Sequence, residues 1–197
     1  MTRPETFRTF IAVPLSDAIL AQLADVQRKL RRTCPEGAVT WVKPESVHLT
    51  LFFLGEILPE RLQPVQEALT VVARNVKPFT FNVRGVGAFP NVSRPRVVWV
   101  GLEEPTGQLA LLYHAVNEAM EKVGFRPEDR PFSPHLTVGR IHRRASSDEA
   151  RDVGKAVGQI EVGLLGEVPV EEIIFFRSIL KSSGAEYTPL ATFRLGE

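Results

Sequence analysis

Two spacings of apolar residues alternate along this chain, and each change from one to the other marks an element. Residues 7–13 (FRTFIAV) form an apolar, β-prone run closed by Pro14, which predicts an opening strand. Ile19, Leu20, Leu23, Val26, Gln27 and Leu30 then recur at mostly helical intervals behind a capping Ser16 or Asp17. Arg28, Lys29, Arg31 and Arg32 fall in the last turns, where the helix dipole favours cations. Pro35 and Gly37 stop that helix. A short extended piece at 39–42 and a turn at 43–46 lead into a strand that runs through Leu54 to Gly55. Pro59 opens a second helix, to about Asn75, carried by Leu62, Val65, Leu69 and Val72. Residues 79–83 alternate as a strand, Gly85, Gly87 and Pro90 follow it, and 96–100 supply an antiparallel partner. Leu109, Leu112, Tyr113, Val116, Met120 and Val123 define the core face of a third helix between Thr106 and Gly124. A charged, proline-bounded loop at 126–131 precedes another strand. A weaker helix runs from Ser146 or Ser147 to about Val157, and strands at 159–168, 170–180 and 187–195 finish the chain, with a tight turn at 181–184.

No repeat with a period of ~20–50 residues appears, which argues against a solenoid. Nor does a Pro/Gly/Ser-rich linker divide the chain. The expectation is one structural domain over 1–197, made of two lobes. Its class is α/β in the broad sense (α+β): bilobal, with two pseudo-symmetric, largely antiparallel sheets facing a central groove and helices outside.

One stretch occurs twice within this plan, once in each half. Val47-His48-Leu49-Thr50-Leu51-Phe52-Phe53 is echoed by Pro134-His135-Leu136-Thr137-Val138. Side chains alternate across a strand, so His48 and Thr50 project together while Val47, Leu49, Leu51 and Phe53 project behind. The same rule pairs His135 with Thr137 and puts Leu136 and Val138 at their back. Two such strands suggest a cleft with a histidine on each wall.

Composition narrows the setting. Of 197 residues, 44% are hydrophobic and 24% charged, the balance of a folded chain rather than a disordered one. A formal charge of +1 excludes a protein that coats nucleic acid nonspecifically, while leaving room for a local basic groove. The single Cys34 has no internal disulfide partner and suits a reducing cytoplasm. The first residues lack the apolar core of a signal peptide, and no run approaches the ~18 residues that span a bilayer. A cytoplasmic protein with no membrane association is the expectation.

A histidine donates or accepts a proton near neutral pH, and two facing each other can share general acid and general base work, as displacement at phosphorus requires. The threonine hydroxyls can donate to phosphate oxygens, and Arg140 can add a fixed cationic fork. Strict alternation, however, turns Arg140 away from His135 unless the strand bulges or ends near Gly139. Of the four histidines, His114 falls off the apolar stripe of the third helix. His142 belongs to the basic end 140–144. No His-Glu-x-x-His, Cys-x-x-Cys, phosphate-binding glycine loop or Gly-x-Ser-x-Gly elbow is present.

On these residues the chain resembles the 2H phosphoesterases, named for paired His-x-[Thr/Ser]-x motifs, and within them the RNA 2′,3′-cyclic phosphodiesterases, also called 2′-5′ RNA ligases. The resemblance runs nearly end to end, through residues 8–13, 41–56, Phe89-Pro90, 96–99, 132–140, and Ser178, Leu180, Gly184 and Tyr187. It implies opening of a terminal 2′,3′-cyclic phosphate on RNA to a 2′-phosphate, without metal or other cofactor. His48 would be proton donor to the leaving 3′ oxygen and His135 the acceptor from water, while Thr50, Thr137 and Arg140 would hold the phosphate. With a 5′-hydroxyl attacking in place of water, the same site would reversibly join RNA ends through a 2′-5′ linkage. RNA 3′ ends or nucleotides bearing a cyclic phosphate are the implied partners, with no obligate protein partner. Phe132 and Trp41 are candidates to stack on a base, and Phe10 is expected to pack in the core. Three other readings stay open: a phosphohistidine intermediate, a binding module without turnover, and action on a small cyclic nucleotide.

Overall fold

The computed structural model describes residues 5–127, 131–181 and 184–197. The elements are β1 (Phe7–Val13), α1 (Asp17–Arg31), β2 (Val39–Trp41), β3 (Leu49–Ile57), α2 (Leu62–Asn75), β4 (Phe79–Phe89) and β5 (Val97–Glu103). They continue with α3 (Gln108–Lys122), β6 (His135–Ile141), α4 (Ser147–Gln159), β7 (Leu164–Val170), β8 (Glu172–Lys181) and β9 (Gly184–Arg194). Short 3-10 turns occupy Pro44–Ser46 and Pro59–Arg61. The strands form two sheets, ordered β3-β1-β8-β9 and β2-β6-β5-β4-β7, and every neighbouring pair is antiparallel. The fold is therefore α+β with two antiparallel sheets, in agreement with the sequence pattern.

Halves of the chain do not coincide with the sheets. The motif strand β3 pairs with β1, and β8 and β9 return from the C-terminal end to extend that sheet. The other motif strand, β6, lies between β2 and β5, so the second sheet draws β2, β4 and β5 from the first half. The helices are exchanged in the same way: α1 packs on β6 and β7 and α4 on β4, whereas α2 packs on β8 and β9 and α3 on β3.

Local chemistry accounts for most element ends. Ser16 Oγ accepts from Ile19 N at the start of α1, and Ser146 and Glu149 form a reciprocal capping box on α4. The expected 79–83 strand instead runs to Phe89, because a register shift between Val83 and Val86 absorbs Gly85, whose φ of +72° only glycine adopts freely. Of the charged loop at 126–131, residues 128–130 lie outside the described residues, as do 182 and 183 of the turn at 181–184.

Behind the motifs, Leu49 (1% exposed), Leu136 and Val138 (both 0%) belong to the buried core with Ile11, Leu23, Leu69, Leu112 and Phe175. A one-residue slip of β6 would bring Leu136 and Val138 to the opposite face and forfeit roughly 3–6 kcal/mol of burial. That difference fixes which side His135 and Thr137 present. Among the described residues, no helix is long and apolar enough to cross a membrane.

Candidate active site

Both motif histidines line one groove of about 1080 Å³, together with Thr50, Thr137, Arg140, Phe132 and Tyr187. Each imidazole is fixed by the same local device. Nδ1 of His48 lies 2.9 Å from the carbonyl oxygen of Ser46, and Nδ1 of His135 lies 2.7 Å from that of Ser133. A backbone carbonyl only accepts, so Nδ1 carries the hydrogen in both rings and donates it. That leaves Nε2 as the proton-exchanging atom, a base when the ring is neutral and an acid when it is charged.

The two rings sit in different surroundings. His48 is stacked on Phe10, centroids 4.6 Å apart, and meets Tyr187 edge-on at 5.1 Å, with Phe176 beyond Phe10. Burial in that aromatic box pushes its pKa down to about 4, against a smaller upward pull from the Ser46 carbonyl. In the free protein His48 is therefore neutral at physiological pH. His135 meets Phe89 edge-on at 4.8 Å, and Phe89 in turn leans on Trp99 at 5.3 Å. Trp99 occupies the space that a side chain at Gly87 would need, since a Cβ there would stand 2.3 Å from the indole.

Arg140 does line the groove, and the reason lies in the strand register. On β5, Val98 faces Gly139 and Trp99 faces Thr137, so Val138 is an extra residue and alternation restarts after it. The side chains at 135, 137 and 140 thus share the groove. The amide of the buried Gln27, from α1, donates to the carbonyls of both Val138 and Val42 at 2.8 and 2.6 Å and ties this irregular stretch to β2. The first wall repeats the device. Ile11 faces Phe52 and Ala12 faces Thr50, which makes Leu51 the extra residue. Phe52 then takes the buried position at 6% exposure, and Phe53, expected behind the strand, is 44% exposed in the groove.

Other sequence candidates are distributed as follows. Phe132 lines the groove and stacks on Tyr113 with centroids 3.8 Å apart, so the Tyr113 ring, expected in the core, belongs to the groove wall instead. Trp41 is not among the groove-lining residues: it pairs with Gly139 on β6 and carries the Arg31 guanidinium over its ring at 5.4 Å, on the helix side of the sheet. Phe10 packs in the core at 3% exposure, where it also forms the floor under His48. His114 and His142 are exposed and outside the groove. Cys34 is half-buried, and burial pushes its thiol pKa up, the opposite of an activated nucleophile. Among the described residues, no three His, Cys, Asp or Glu side chains converge as metal ligands. Sequence reasoning passed over the carbonyls of Ser46 and Ser133, although Ser-x-His-Leu-Thr is common to both motifs and signals them.

Two imidazoles with free Nε2 atoms, two hydroxyls and a guanidinium around one groove are the equipment of an acid–base phosphoesterase. The pattern described as LigT-like phosphoesterase matches this chain twice, over residues 13–99 and 100–187. A relative from Archaeoglobus fulgidus named RNA 2′,3′-cyclic phosphodiesterase is 38% identical, covering 94% of this chain and 99% of its own length. One of the same name from Methanothermobacter thermautotrophicus is 33% identical, covering 95% and 98%. Among solved structures, one from Thermus thermophilus superposes with a TM-score of 0.78 at 33% identity, covering 96% and 98%. E. coli LigT complexed with 3′-AMP gives 0.74 at 26% identity, covering 98% and 100%. The chain belongs to the LigT-like family of phosphoesterases, and it is an enzyme of phosphodiester hydrolysis.

Proposed function

We propose that this protein hydrolyses terminal 2′,3′-cyclic phosphates on RNA to 2′-phosphates, with His48 and His135 as its acid–base pair. One observation carries the reading: both imidazoles are held by Nδ1–H donation to the carbonyl two residues earlier, which leaves both Nε2 atoms for a common groove. Nε2 of His135 takes a proton from water as its oxygen attacks phosphorus. The bond from phosphorus to the 3′ oxygen breaks, and that oxygen receives the proton from Nε2 of His48. Thr50, Thr137 and Arg140 donate to the non-bridging oxygens, whose charge grows in the transition state. With a 5′-hydroxyl as the attacking group in place of water, the same groups make a 2′-5′ linkage; water at tens of molar favours hydrolysis. The relatives named RNA 2′,3′-cyclic phosphodiesterase support the substrate class. Phe132, braced by Tyr113, offers the terminal base a stacking face.

The test is turnover of an oligonucleotide ending in a 2′,3′-cyclic phosphate. His48→Ala and His135→Ala are each expected to lower kcat by ~10²–10⁴-fold with the fold intact by circular dichroism. Near-wild-type turnover by either variant refutes the pair.

A further inference from the structure

The groove holds more positive charge than one reacting phosphate uses. Among the described residues, Arg8, Arg96 and Arg140 line it beside the two histidines, and no aspartate or glutamate does. The chain as a whole carries only +1, so the charge is concentrated here. Among the described residues, none of these three arginines is ion-paired with a carboxylate. Arg140 serves the reacting phosphate in the mechanism above. Arg96 adjoins it, next to Val97, which pairs with Arg140.

Arg8 is different, because it comes from β1 on the opposite wall. Its register places it across from Ser178 on one side and Glu56 on the other. Glu56 accepts from Thr6 Oγ1 instead. The Arg8 guanidinium lies over the Phe53 ring, 4.7 Å from its centroid, a seat that holds the cation while leaving its N–H edge free to donate. Phe53 stands five residues after His48, as Arg140 stands five after His135. The first wall thus carries an aromatic seat at the place where the second carries an arginine, and the neighbouring strand brings the cation. Tyr187 joins the two sides: burial raises its phenol pKa, while Arg140 and Arg8 draw it back, so both cations lie within electrostatic reach of one hydroxyl. Like charges converging with no carboxylate among the described groove residues repel each other, and a bound anion relieves that cost. A groove of about 1080 Å³ has space beyond a single nucleotide.

We infer that Arg8, seated on Phe53 and assisted by the Tyr187 hydroxyl, binds a second phosphate of the substrate, on the 5′ side of the nucleotide that carries the cyclic phosphate. This rests on the phosphodiesterase reading. It makes Arg8 a specificity-determining residue that favours RNA ends and 5′-phosphorylated nucleotides over bare nucleoside cyclic phosphates.

The experiment measures kcat/KM for three substrates: a nucleoside 2′,3′-cyclic phosphate, its 5′-phosphorylated form, and a dinucleotide ending in the same cyclic nucleotide. In the wild type, a second phosphate is expected to raise kcat/KM at least ~10-fold over the bare nucleoside, the scale of one charge-assisted hydrogen bond. Arg8→Met, which keeps an apolar stem over Phe53, is expected to bring that ratio towards one. Gain with both phosphorylated substrates supports binding of any 5′ phosphate; gain with the dinucleotide alone supports binding of the internucleotide diester. A wild-type ratio near one, or an unchanged ratio in Arg8→Met, overturns the inference. Tyr187→Phe keeps the ring against His48 and is expected to lower the ratio severalfold, which preserves the test if Arg8→Met fails to fold. Turnover of none of the three overturns the phosphodiesterase reading itself, a result distinct from a lost ratio.

Discussion

If His48 is the proton donor, bound phosphate must charge it. Burial among Phe10, Phe176 and Tyr187 holds the free imidazole at a pKa of about 4, so it carries no proton on Nε2 in the free protein at neutral pH. A unit negative charge ~4 Å from the ring at an effective dielectric of ~20 contributes ~4 kcal/mol, or ~3 pKa units. Phosphate binding is therefore expected to raise His48 to near neutrality, where it serves as a general acid. The assay is a long-range ¹H–¹⁵N titration of the imidazoles with and without inorganic phosphate, with His48→Gln assigning the resonance. Reciprocity adds a second readout. Below about pH 6, where inorganic phosphate is a monoanion, its affinity is expected to rise up to ~10-fold per pH unit lost, and His48→Gln removes that component. A free-state pKa near 6.5 refutes the burial argument. A pKa that phosphate leaves unmoved takes the donor role from His48 and assigns it to His135.

The same shift bears on stability. The unfolded chain protonates His48 below its ordinary pKa near 6.5 and the native state only below about 4, so its contribution is complete above pH 6.5 and is lost as pH falls through that window. Urea unfolding is expected to show wild type losing about 2–3 kcal/mol relative to His48→Gln between pH 6.5 and 4; parallel curves for the two proteins count against it. Gln27→Leu removes the amide donated to Val138 and Val42 and is expected to cost ~1–3 kcal/mol in the same assay, with a raised KM as Arg140 loses its register. Gly87→Ala drives a Cβ into Trp99, at ~1–3 kcal/mol, and kcat is expected to fall as Phe89 shifts against His135; a thermal melt and initial rates check both.

Much of the site was legible because its logic is local. His-Leu-Thr in two apolar runs gave the strands, the inward leucines and the polar faces, and Ser-x-His carried the imidazole clamp within three residues. Features set by a partner strand were not. The extra residues at Leu51 and Val138 exist only relative to β1 and β5, so neither Phe53's exposure nor Arg140's access can be read from alternation alone. Trp41 looked available from its place beside the first motif, but a strand paired at Gly139 turns its indole towards α1. Tyr187 and Arg8 meet His48 and Phe53 through β9, β8 and β1, a neighbourhood assembled from opposite ends of the chain.

The central claim is cyclic-phosphate opening by two histidines without metal. An oligonucleotide with a terminal 2′,3′-cyclic phosphate, incubated with the protein in EDTA, tests it most directly when the product is identified. Full turnover to a 2′-phosphate, at a rate unaltered by chelator, is the expected result. Activity that vanishes in EDTA and returns with a divalent metal contradicts it.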